Sequence, residues 1–143
     1  MTHLFGIPLQ LLPLVLIGLS LVAGVIIFML PERARVARPT INLTAAIAKV
    51  VLLALLLPVV LAVDLPAWRS PLLPGVELVL RIDTLSMLFA SLSAILWLVT
   101  TVYAIGYLEG RPNRRRFFGF FSLCVAATVG ISFAGNLVTF LLF

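Results

Sequence analysis

Two side chains in this sequence could carry a proton or a cation through apolar surroundings. Lys49 lies inside the run Ile41–Val63, and Asp83 opens the run Thr84–Tyr107. An ammonium at mid-span costs about 3 kcal/mol on insertion scales, so it needs a partner, a water-filled path or a reason to exist. Its flexible stem can also lean toward the helix N-terminus and reach the interface, or meet an ion-pair partner. The residues favour those structural roles over transport. Asp83 precedes Thr84-Leu85-Ser86, so its carboxylate is placed to accept the N–H groups that a first helical turn leaves unpaired. A cap is favoured there over a proton carrier. Other chemistry has no foothold. The sequence has no H-E-x-x-H, C-x-x-C or glycine-rich phosphate loop, and no paired carboxylates within a span. No catalytic residue, cofactor site or metal site is expected. His3 is read as a solvated end, and Cys124, inside an apolar run, as a small buried hydrophobe.

The elements that hold these residues follow from composition. The chain is 63% hydrophobic and 10% charged, with a mean hydropathy of +1.26. A soluble domain carries roughly 25% charged residues, so the lipid bilayer is the expected surroundings. The net charge of +5 comes from arginines in short loops. That placement speaks for orientation in a membrane and against nucleic acid.

The expected fold is all-α and polytopic, a single membrane domain over residues 1–143. Spans are expected at 13–30, 41–63, 84–107 and 117–134, with an incomplete helix at 136–143. Residues 1–12 lack Lys and Arg, which argues against a cleaved signal peptide. Pro58 should bend the second span. The proline-rich loop 64–82 permits a short strand at 76–82 and places Trp68 as an interfacial aromatic. Along the third span Ser86, Ser93, Thr100 and Tyr107 recur every seven residues, with Ala90, Trp97 and Ala104 between, as one partly polar stripe. The fourth carries Ser122, Ala126, Gly130 and Ala134, a small-residue row that lets two helix backbones approach. The final apolar stretch of eight residues reaches only ~12 Å against a hydrocarbon core of ~30 Å. It is expected to be cut off mid-helix or to rely on another polypeptide.

Orientation is read from the arginines. Arg33, Arg35 and Arg38 fill the first loop, and Arg111, Arg114, Arg115 and Arg116 the third, whereas loop 64–82 has two and the N-terminal segment none. Two spans separate the rich loops, so they share one side, and the positive-inside rule makes it cytoplasmic. The N-terminus is then expected outside.

The stretch Arg81–Phe143 resembles the front part of antiporter-like subunits. The resemblance rests on Asp83-x-Leu85-Ser86, on Leu96-Trp97-x3-Thr101-x-Tyr103-x3-Tyr107, on Arg116-Phe117-Phe118 and on Gly135-Asn136-Leu137. These motifs look most like the D-type subunit of Mrp multisubunit cation/proton antiporters, a relative of the proton-pumping subunits of respiratory complex I. The resemblance implies a subunit of two inverted five-helix repeats in a bacterial-type inner membrane, moving protons and sodium or another monovalent cation among other membrane subunits. It also implies a glutamate on the fifth helix and lysines on later ones. None maps onto this sequence, and Lys49 and Asp83 do not inherit those roles. A complex I or membrane-hydrogenase subunit, with quinone or iron–sulfur partners, is the second reading. A small structural subunit that conducts nothing is the third.

Overall fold

A computed structural model describes all residues except Met1, Thr2, Phe5, Glu32, Ala34 and Arg35. Four of its helices are long and apolar enough to cross a membrane. They are α1 (Leu12–Met29), α2 (Ala37–Ala62), α3 (Thr84–Tyr107) and α4 (Arg114–Ser132), and the one-turn helix α5 (Leu137–Leu142) follows. A small hairpin of β1 (His3–Leu4) and β2 (Ile7–Pro8) and a 3-10 turn, Leu9–Leu11, precede α1.

Each long helix buries one stripe. In α3 the buried residues are Ser86, Met87, Ala90, Ala94, Trp97, Thr101 and Ala104, a spacing close to 3.6. Of the seven-residue stripe read from the sequence, Ser86, Ala90, Trp97 and Ala104 lie on this face. Ser93 and Thr100 are half-buried at its edge, and Tyr107 is exposed. On the outer faces, Leu88, Phe89, Leu92, Leu96 and Val99 are all more than half exposed. A belt this apolar is what lipid requires and water does not tolerate. Exposed hydroxyls bond back into their own helices. Thr44 Oγ1 donates to Thr40 O at 2.7 Å and Thr128 Oγ1 to Cys124 O at 2.8 Å, so they spend their polarity without a neighbour. Cys124 lies on this outer face, exposed, contrary to the buried position expected from its apolar surroundings.

Helix α1 packs mainly on α4, and α2 mainly on α3. The two backbones of α1 and α4 come together at Gly24. A Cβ there would lie 3.2 Å from Ser122 Cβ and 3.3 Å from the Gly119 carbonyl oxygen. Of the small-residue row on α4, Ser122 meets α1 at this point, while Gly130 lies under the Phe143 ring of the α5 end. Ala126 is buried, and Ala134 lies past the helix, bridged to Leu80.

The structure is not purely helical. Between α2 and α3 the chain folds into an antiparallel hairpin of β3 (Trp68–Leu73) and β4 (Val76–Leu80). Gly75, at φ +89°, makes the turn after Pro74, a conformation that side chains with a Cβ resist. The run 76–82, which alternates apolar and polar at its two ends, supplies the second strand. The edge of β4 is then covered from the α4–α5 junction. Gly135 N donates to Val79 O at 2.7 Å, and Arg81 N to Phe133 O at 2.8 Å. Asn136 Nδ2 donates to Glu77 O, and Val79 N to Thr139 Oγ1.

Two helices reach further than the sequence placed them. Helix α2 starts at Ala37 and runs through Pro58 to Ala62, and α4 starts at Arg114. Arginines read as loop residues therefore form first helical turns, where their own helix dipole disfavours them. The ends of neighbouring helices offset that penalty, as described next.

Candidate functional site

Lys49 lies 12 residues into α2, roughly 18 Å from the start of the helix at ~1.5 Å per residue. Its side chain is wholly buried. Nζ donates to Ser20 Oγ on α1 at 2.7 Å, and Ser20 Oγ donates in turn to Ile17 O at 3.1 Å. The ammonium also sits over the Trp97 ring of α3, 5.0 Å from its centroid, an arrangement in which the electron-rich ring face offsets part of the charge. Lys49 thus neither reaches an end of the bundle nor pairs with an acid. Among the described residues Arg69–Glu77, at 3.8 Å on the surface, is the only ion pair. An ammonium has three N–H donors, and a single hydroxyl takes one. Trp97 Nε1 is also buried, with no acceptor among the described residues. The site is a buried cation with donors in excess.

A second polar layer lies seven residues toward the start of α2, ~10 Å away. Ser122 Oγ of α4 donates to Asn42 Oδ1 at 2.7 Å, and Asn42 Nδ2 donates to Thr101 Oγ1 of α3 at 2.8 Å. All three residues are buried. Asn42 uses both ends of its amide and so ties three helices together. Sequence reasoning missed Asn42, Thr101 and Ser20. The available signal was an amide and hydroxyls inside apolar spans at positions that turn inward with the 3.6-residue period, Asn42 and Lys49 being seven apart.

Asp83 stands apart from this track, as the N-cap of α3. Its Oδ1 accepts from Ser86 N at 2.8 Å and from Ser86 Oγ at 2.7 Å. The backbone N–H of Ser86 holds the carboxyl below its ordinary value; partial burial opposes this, and the Ser86 hydroxyl and Arg81 assist. A depressed carboxyl stabilises the fold above its unfolded value, ~3.9, and loses that contribution as pH falls through the folded value. Asp83→Ala is therefore expected to cost about 1 kcal/mol near neutral pH. Asp83→Asn, an equally good cap, should cost little and should flatten the stability profile below about pH 4. Denaturant titrations of the detergent-solubilised protein at several pH values check both.

Arg69 and Arg81 belong to the hairpin end, whereas the other described arginines gather at the opposite end. Arg38, buried, donates to Leu30 O at 3.3 Å and Pro31 O at 2.6 Å, and Arg115 donates to Phe28 O, so both close the end of α1. Arg114 reaches Ile105 O near the end of α3 at 3.5 Å. Cations on C-terminal carbonyls of neighbouring helices recover what these arginines lose at their own N-termini. Arg111 lies over the Tyr107 ring at 5.0 Å, and Arg33 and Arg116 are exposed. Arg35 lies outside the described residues.

Fold and buried polar track together define a multi-pass membrane protein with a charged group in its helical core. Residues 74–118 match the family described as NADH-ubiquinone oxidoreductase (complex I), chain 5 N-terminus. Over 63 residues the chain is 38% identical to NADH-quinone oxidoreductase subunit L of two Mycobacterium tuberculosis strains, which covers 44% of this chain and 10% of each relative. A chain in the structure of the membrane-bound sulfane sulfur reductase, an archaeal respiratory membrane complex, superposes with a TM-score of 0.70 at 20% identity. That likeness covers 89% of this chain and 20% of the other. The resemblance to antiporter-like subunits is thus shown on its complex I side, and the chain spans about a tenth of the curated relatives' length.

Proposed function

We propose that this chain supplies the N-terminal helices of an antiporter-like, ion-translocating subunit of a complex I-type membrane complex, working beside other membrane subunits. The match of residues 74–118 to the chain 5 N-terminus carries this reading. Within it, Lys49 is the charged group through which these helices act on the moving ion, because a fully buried ammonium bonded, among the described residues, only to Ser20 is expensive to keep for packing alone. The test is Lys49→Met in the assembled complex, in inverted membrane vesicles supplied with the electron donor. Proton uptake, read by quenching of a pH-gradient dye, is expected to fall at least ~tenfold, about 1.4 kcal/mol, while the complex still assembles. Unchanged uptake by an assembled complex would remove Lys49 from the path.

A second reading, the Mrp-type cation/proton antiporter, is favoured by the run Leu96-Trp97-x3-Thr101-x-Tyr103. It differs in one observable, since proton exchange would then follow added sodium without an electron donor.

The proposed orientation puts the arginine end in the cytoplasm of a bacterial-type cell and the hairpin outside. In a Cys124→Ala background, Arg33→Cys should react with a membrane-impermeant maleimide in inverted vesicles and resist it in intact cells. The reverse pattern would invert the topology.

A further inference from the structure

Between the ends of α2, α3 and α4 lies a cleft of about 420 Å3, lined by Arg38, Gly110, Arg111, Pro112, Asn113, Arg114 and Arg115. No acidic residue is among the described residues that line it. Part of its donor capacity is spent on the helix-end carbonyls, but not all. Arg38, only 6% exposed, has no acceptor for its Nε–H among the described residues, and neither does Arg114. Buried donors are almost always paired, so two orphans of one kind, both on residues that line one positive cleft, point to a missing acceptor. Asn113, in the left-handed conformation at φ 71°, turns the chain into α4, and the open N-terminus of that 19-residue helix adds its dipole.

We infer that this cleft binds the phosphate of an anionic phospholipid headgroup. Guanidinium forks suit phosphate oxygens, and the volume admits a headgroup rather than a lone ion. The surroundings favour lipid as the source. The cleft lies where the apolar helices end, beside Tyr107 stacked under Arg111 and the exposed ring of Phe117. That is the belt of aromatics and arginines found at headgroup depth. The arginines there serve three ends together: orientation, closure of the ends of α1 and α3, and retention of one lipid.

Native mass spectrometry of the purified protein tests this with phosphatidylglycerol, phosphatidylcholine and inorganic phosphate as probes. Phosphatidylglycerol is expected to stay bound at collision energies that strip phosphatidylcholine, and to withstand excess inorganic phosphate. Arg38→Gln should weaken phosphatidylglycerol retention by ~tenfold. Because Arg38 also closes α1, Arg111→Gln serves as the second variant; it breaks no carbonyl bond and should weaken retention several-fold. Equal retention of the two lipids would overturn the inference, as would variants that behave like the parent. Displacement of phosphatidylglycerol by inorganic phosphate would also overturn it and leave a free-phosphate site.

Discussion

Trp97→Ala should cost this bundle about 3 kcal/mol, the largest single loss expected from any one side chain. Trp97 is 1% exposed and is the largest fully buried side chain among the described residues. In lipid, the transfer term is muted, because acyl chains are as apolar as the core. What remains is the cavity: the ring's dispersion contacts vanish and the helices cannot close over the gap. The expected loss therefore sits at the low end of the 3–5 kcal/mol typical of Trp-to-Ala changes. Lys49 aggravates it, because the ammonium loses the ring face that shares its burial. Trp97→Phe separates the two effects. It keeps most of the volume and removes a buried N–H that has no acceptor, so the net cost should stay under about 1.5 kcal/mol. Denaturation in mixed micelles, followed by helical circular dichroism, measures both. An Ala variant as stable as the parent would mean that Trp97 does not fill the core as described.

The second large effect is at Gly24. Leucine there must displace both Ser122 Cβ and the Gly119 carbonyl, and the carbonyl belongs to a helix backbone that has no rotamer to change. Overpacking of this kind costs about 1–3 kcal/mol. Forcing α4 outward also strains the 2.7 Å bond from Ser122 to Asn42, which adds about 0.6 kcal/mol on the membrane scale. Gly24→Ala should be nearly neutral, because its tight contact is offset by a helix-propensity gain of about 1 kcal/mol. Gly18, on the same helix, has nothing within 4 Å of an added Cβ. Gly18→Leu meets no such contact and is expected to stabilise the helix, by up to about 0.8 kcal/mol. The same micelle titration compares all three, and equal losses at 18 and 24 would contradict the α1–α4 contact.

That pair of glycines shows where sequence reasoning stops. Both stand in one apolar run, and no local feature tells them apart. What the sequence determined alone is what depends on neighbours along the chain. The hydrocarbon thickness sets the run length of a span, so the membrane class and its four helices were legible from composition. The Asp83 cap joins residues three apart, and the Val76–Leu80 strand lies in a seven-residue run, 76–82, that alternates apolar and polar at its two ends.

Tertiary structure decided the rest, because the partners lie far apart in sequence. Lys49 meets Ser20 across 29 positions, and Asn42 meets Thr101 across 59 and Ser122 across 80. A 3.6-residue period says which residues share a face of one helix, but only packing says which face of another helix lies opposite. The seven-residue stripe on α3 illustrates the limit, since packing buries its Ala90, Trp97 and Ala104 and leaves Tyr107 outside. The arginines do so again. Their number and loop positions fix a topology expectation by local charge, whereas their bonds to carbonyls of α1 and α3 exist only because the bundle brings helix starts beside helix ends. Long-range contacts are chosen by shape and by the need to pair every buried polar group, and neither is written in any one stretch of the chain.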